Sequence, residues 1–146
     1  MARAALLVVL LAASPAAFAC GHCVEDKVAS VYDHAAVTRA IAAKHTVVFF
    51  AIDGTLKPGQ PMRLRIERLA ASVPGVDAAS VRLSMELASL ALAFDSRRTT
   101  LLDVQAGLER KLAPLGLSLL AMRLMDTPGD LAAVRASGPD NHRRQP

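Results

Sequence analysis

The sequence has no tryptophan, one tyrosine and four phenylalanines among its 146 residues. Proteins that bind single-stranded nucleic acid stack the bases on aromatic side chains and track the phosphates with a basic groove. This chain has few such side chains, and its formal net charge of +4 comes from scattered basic residues. We therefore expect no nucleic-acid partner.

The sequence also lacks an apolar run long enough to cross a bilayer, which takes about 20 residues. The apolar run at residues 4–13 is too short; it follows a basic residue and precedes the small residues Ala17 and Ala19. This order is typical of a secretory signal with a peptidase site after Ala19. We predict that residues 1–19 are a cleaved signal peptide and that the remainder is periplasmic or secreted, with no membrane span. A lipid anchor on Cys20 is the less favoured alternative.

Cysteine is equally scarce, since both cysteines lie in the tetrapeptide Cys20-Gly21-His22-Cys23. A disulfide across so few residues closes a tiny loop and adds little chain-entropy stabilisation. Two thiolates suit thiophilic ions such as Cu(I) or Zn(II), and a helix N-terminus favours the thiolate by lowering its pKa. We therefore expect a metal site at Cys20 and Cys23. His22 and, after cleavage, the amine of Cys20 are auxiliary donors.

Met62 is a further candidate ligand through its thioether sulfur. The apolar spacing of Met62, Ile66, Leu69 and Val73 is also that of a helix face, and it favours a core position for the methionine over a ligand.

Two other interpretations of the tetrapeptide stay open. Cys-Gly-His-Cys is also the active-site sequence of protein disulfide isomerases, so Cys20 and Cys23 could exchange thiols and disulfides. In those enzymes the motif follows a strand of a thioredoxin fold, whereas here it follows a signal peptide and no thioredoxin-like βαβ unit comes after it. The remaining interpretation is an inert or disulfide-bonded pair.

Catalytic motifs are absent from the rest of the sequence. It has no phosphate-binding loop and no nucleophile at a recognisable spacing from a base. Paired carboxylates such as Glu25-Asp26 and serines such as Ser84 and Ser89 have no catalytic context. We therefore predict a binding protein rather than an enzyme.

Hydrophobic periodicity predicts one helix at residues 24–44, followed by the order βαββαβ. This order is typical of an α+β, ferredoxin-like sandwich, in which two helices cover one face of an antiparallel sheet. The extra N-terminal helix is expected on the other face, because a large apolar face is costly to leave in water. The residues predicted on that face are Val47, Phe49, Ala51, Ala91, Ala93, Leu119 and Ala121. The predicted segments are 20–45 (motif and helix), 46–125 (sheet domain) and 126–146 (flexible tail).

Residues 46–124 resemble the heavy-metal-associated domain of copper chaperones and metal-pumping ATPases. The resemblance is carried by residues 62–76 with Glu67 and the Pro74-Gly75-Val76 turn, by 79–83 leading to 92–95, and by 102–104 through 115–117. It implies the ferredoxin-like fold and a role with copper.

The sequence departs from this family at the metal-binding loop. Gly59 and Met62 stand where the family has its cysteines, so the family's metal site cannot be carried over. Cysteine-less copies serve as scaffolds or docking modules, which is a third possible function. If the N-terminal helix folds back antiparallel to the strand at residues 46–53, Cys23 would lie near Met62. The expected partners are a metal ion and a metal-transport protein or a second copy of the chain.

Overall fold

The computed structural model describes residues 20–130, with side chains from Val24 onward. The predicted signal peptide and residues 131–146 lie outside the described residues. Within them no helix combines the length and apolarity needed to cross a membrane. The elements are α1 (Cys20–Val31), α2 (His34–Ala42), β1 (Thr46–Asp53), α3 (Gln60–Ala71), β2 (Val76–Ser84), β3 (Ser89–Phe94), α4 (Leu101–Leu112), a short 3-10 helix (Ala113–Leu115) and β4 (Ser118–Met125).

The four strands form one antiparallel sheet in the order β2-β3-β1-β4. The predicted α+β class and antiparallel sheet are therefore confirmed, and the arrangement is compatible with a ferredoxin-like one. Strand β1 lies between β3 and β4, and its β-branched and aromatic residues suit a position that is buried on both faces.

The first face of the sheet carries Val48, Phe50 and Ile52 of β1 and is covered by α3 and α4. Helix α4 begins after Thr100, whose side chain caps the helix by accepting a hydrogen bond from the Asp103 N–H. The buried cluster on this face is made of large aliphatic and aromatic side chains. Its helical members are Ile66, Ala70, Val104, Leu108 and Leu112.

The second face of the sheet is covered by α1 and α2. Its sheet residues are Val47, Phe49, Ala91, Ala93 and Met125, and its buried helical residues are Val28, Val31, Val37 and Ala40. Val47, Phe49, Ala91 and Ala93 therefore face the added layer as predicted.

The prediction of one continuous N-terminal helix is wrong, because the helix is broken at Tyr32 and Asp33. Asp33 has an extended backbone (φ −115°, ψ 104°), and its carboxylate accepts a hydrogen bond of 3.0 Å from the Ala36 N–H. A short acidic side chain competes for backbone groups inside a helix but is favourable at the N-cap. The chain therefore stops α1 and starts α2 at this aspartate.

The prediction that Leu119 and Ala121 lie on the second face is also wrong. Leu119 lies opposite Ile52 and Ala121 opposite Phe50, so both pack with the first-face core. Leu120, the residue between them, is 67% exposed. Both the odd-numbered and the even-numbered positions of β4 carry apolar residues. Its hydrophobic pattern therefore does not determine which side of the strand is buried.

Candidate metal site at the start of the first helix

The Cys-Gly-His-Cys motif forms the first turn of α1, because this helix begins at Cys20. Positions 20 and 23 are three residues apart and so lie on the same side of the helix. The first turn contains no acidic residue. The backbone N–H groups of this turn have no hydrogen-bond partner within the helix. They form the positive end of the helix dipole, which favours anionic ligands such as thiolates.

Polar contacts fix α1 to the turn between β2 and β3. The Lys27 Nζ donates hydrogen bonds to the carbonyl oxygens of Leu87 at 2.6 Å and Ala88 at 3.4 Å. The Ser30 hydroxyl lies 2.8 Å from the hydroxyl of Ser89, which is fully buried. These contacts hold the helix in one orientation on the sheet.

The beginning of α1 lies beside the end of β4. Glu25 forms an ion pair with Arg123. Val24 and Met122 are both half-buried and pack against the second-face cluster. The two residues that follow the motif are therefore neighbours of the last residues of the edge strand β4.

Met62 lies in α3 and packs, half-buried, against the first-face core. Helix α1 covers the second face and contacts all four strands, so it crosses the sheet instead of following β1. The proposed antiparallel alignment of one long helix with β1 does not occur. The sheet separates the layer that carries Met62 from the layer that carries the motif.

The break between α1 and α2 is held by a second ion pair. Asp33 Oδ2 accepts hydrogen bonds from Arg82 at 2.8 Å and 3.0 Å. The Ala36 N–H, and after it Arg82, hold the pKa of Asp33 below its usual value of 3.8. Tyr32 stacks on Phe49 with ring centroids 6.4 Å apart. We assign a structural role to this break between the helices, since the carboxylate of Asp33 is already hydrogen-bonded to Arg82 and to the Ala36 N–H.

An open cleft of about 420 Å³ lies at the start of β1, between the end of α2 and the end of β4. Lys44, His45, Ser96 and Asp126 contribute to its lining. The buried Nδ1 of His45 has no hydrogen-bond partner among the described residues. Across the side chains that the structure describes, no three His, Cys, Asp or Glu residues are grouped so that they could hold a metal ion.

Comparison with known proteins gives no match to a family model, to a curated protein or to a solved structure. The similarity to the heavy-metal-associated domain therefore stays a prediction from the sequence. Met122 is the residue near the motif that sequence reasoning missed. A methionine in an apolar strand has no signal that separates it from a core residue, and only the arrangement of α1 on β4 brings it into consideration.

Proposed function

We propose that this protein is an exported, ferredoxin-like relative of the heavy-metal-associated domain that holds one thiophilic ion. Cys20 and Cys23 are the ligands, and His22 is an auxiliary donor. Copper as Cu(I) is favoured over Zn(II), and the protein acts in the periplasm or outside the cell without converting a substrate. The observation that carries the proposal is that α1 begins at Cys20, so the motif forms the first turn of a docked helix.

The position of the motif in α1 supports ion binding in two ways. A spacing of three residues on a helix lets two sulfur ligands reach one ion from the same side. The unpaired N–H groups of the first turn stabilise thiolates, which are the form that binds metal. A pair of thiolates is a soft ligand set and suits Cu(I) better than it suits hard ions such as Mg²⁺ or Ca²⁺.

The topology supports the relationship to metal-carrying domains. The observed order β2-β3-β1-β4, with a helix between β1 and β2 and another between β3 and β4, is the order expected for a split βαβ fold. The departure is that the cysteines lie on an added helix instead of the loop before α3.

The partners follow from the position of the site at the start of the exported chain. A metal-transport protein could receive the ion there by ligand exchange. A second copy of the chain could also share it, because two thiolates leave a Cu(I) or Zn(II) ion able to take further ligands.

The test is a Cu(I) titration of the reduced protein in competition with a coloured Cu(I) chelator. The chain is expressed with its N-terminal segment, and N-terminal sequencing reports whether cleavage follows Ala19. We expect one Cu(I) per chain for the native sequence and none for the double variant Cys20→Ser/Cys23→Ser. Ser118→Ala, at an exposed position at the start of β4 that contacts neither α1 nor the motif in any hydrogen bond described above, is the control and should bind normally.

Other outcomes would favour the alternatives. Equal copper uptake with and without the cysteines would contradict the proposal. A dithiol that reduces insulin and exchanges with glutathione, without metal affinity, would indicate a thiol-disulfide protein. Indifference of the cellular phenotype to both substitutions would leave a docking module.

A further inference from the structure

We infer that Met122 supplies a third, thioether ligand to the ion held by Cys20 and Cys23, and that this ligand makes the site selective for Cu(I) over Zn(II). The inference rests on the proposed function. It assigns a ligand role to Met122 of β4 rather than to Met62 of α3.

The first argument is the backbone of β4 at Met122. Phe49 of β1 lies opposite Arg123, while the next residue, Phe50, lies opposite Ala121. Met122 therefore has no partner on β1 and is the extra residue of a β-bulge. A β-bulge interrupts the alternation of side chains between the two faces of a strand and so changes the direction of a side chain. Bulges are frequent beside functional sites.

The second argument is the position of this bulge relative to α1. Met122 and Val24 pack against the same second-face cluster, and the neighbouring residues Arg123 and Glu25 form an ion pair. Val24 directly follows Cys23. It also lies one helical turn after Cys20, so position 20 is on the same side of α1 as Val24. The bulge therefore lies near the side of α1 that carries Val24 and position 20, and position 23 adjoins position 20 on the neighbouring side of the helix.

The third argument is burial. Met122 is half-buried, so part of its side chain is anchored while part remains accessible to an ion. Met125, the other methionine on the second face, is 1% exposed in the interior of the cluster and has no such access. Met62 is separated from α1 by the sheet.

The chemistry of a thioether determines the expected selectivity. Uncharged sulfur is a soft ligand that suits Cu(I), whereas Zn(II) sites in proteins are built from thiolates, imidazoles and carboxylates. Adding Met122 to the two thiolates therefore stabilises bound Cu(I) and contributes little to bound Zn(II).

The test compares Met122→Leu with Met62→Leu as the matched control. Both are volume-conserving substitutions that preserve packing, and circular dichroism verifies the fold of each. Because a lost ligand should cost at least as much as a lost outer-shell partner, we expect Met122→Leu to weaken Cu(I) binding by about tenfold or more. Zn(II) binding should be unchanged, and Met62→Leu should match the native protein for both ions.

A second measurement detects the proposed copper–methionine contact directly. In selenomethionine-labelled protein loaded with Cu(I), X-ray absorption at the selenium edge should detect copper beside selenium. The signal should persist in Met62→Leu and disappear in Met122→Leu.

The outcomes separate the two levels of the proposal. If Cu(I) binding needs both cysteines but Met122→Leu binds copper like the native protein and the copper–selenium signal is absent, the Met122 assignment is wrong while the proposed function stands. If binding does not need the cysteines, the proposed function itself fails.

Discussion

The two faces of the sheet are built differently. The first face packs Val48, Phe50 and Ile52 against α3 and α4, and its core is made of large side chains. The second face offers Val47, Phe49 and small alanines to α1 and α2. It is held in addition by polar contacts at its rim, from Lys27, Ser30, Glu25 and Asp33.

This difference indicates a division of roles. Burial of apolar surface is the main stabilising term in folding, and the first face buries more large side chains. The rim ion pairs of the second face are partly exposed, and such pairs add little stability but can fix orientation. We conclude that the first layer maintains the fold and that the second layer positions the start of α1.

The largest expected effect is on the first face. Phe50→Ala should lower the free energy of unfolding by about 3–5 kcal/mol, because Phe50 is fully buried and its removal leaves a cavity. Urea unfolding followed by circular dichroism measures the loss. Leu64→Ala, at a side chain that is 52% exposed, is the control and should change stability by less than about 0.5 kcal/mol. Equal effects at the two positions would contradict the assigned core.

A smaller and more local effect is expected on the second face. Val28→Ala in α1 should lower stability by roughly 2 kcal/mol, since a side chain that is 4% exposed loses two buried methyl groups. Hydrogen exchange should show that amides of α1 and α2 lose protection while those of β1 and β3 keep most of theirs. A uniform loss over the whole chain would show that the two layers are one cooperative unit and would break the comparison.

The smallest expected effect is a dependence of α2 on pH. Because the folded pKa of Asp33 lies below its ordinary value of 3.8, its ionised form contributes stability above that value. This contribution is lost as the pH falls through the lower folded pKa. The protection factors of the α2 amides, which correct for the intrinsic pH dependence of exchange, should fall in acid for the native protein.

Asp33→Asn is the matched variant for this test, because asparagine keeps the N-cap acceptor but cannot titrate. Its α2 amides should show a weaker acid response than those of the native protein. An identical acid response in both proteins would exclude Asp33 as the cause.

The sequence predicted the secondary-structure elements well where a residue pattern is compatible with only one kind of element. Strand β1 occupies residues 46–53 as predicted, because a β-branched and aromatic run between polar segments suits only a buried strand. Gly116 ends the 3-10 helix that follows α4 with φ 70°, a left-handed conformation that glycine adopts without strain.

The remaining errors arise where neighbouring elements decide between alternatives. The break at Asp33 is fixed partly by Arg82, which lies 49 positions further along the chain. The side of β4 that faces the core is decided by its pairing with β1, since both the odd-numbered and the even-numbered positions of β4 carry apolar residues. The bulge at Met122 has no sequence signal, and therefore the candidate ligand beside α1 could not be identified before the strands were aligned.

The most direct test of the central claim uses the protein isolated from the cells that express it, without added reductant or chelator. Native mass spectrometry and thiol alkylation are applied to the same sample. We predict one metal ion per chain, with Cys20 and Cys23 resisting alkylation until a chelator removes the ion and both reacting afterwards. A metal-free chain in which Cys20 and Cys23 are joined by a disulfide would contradict the account.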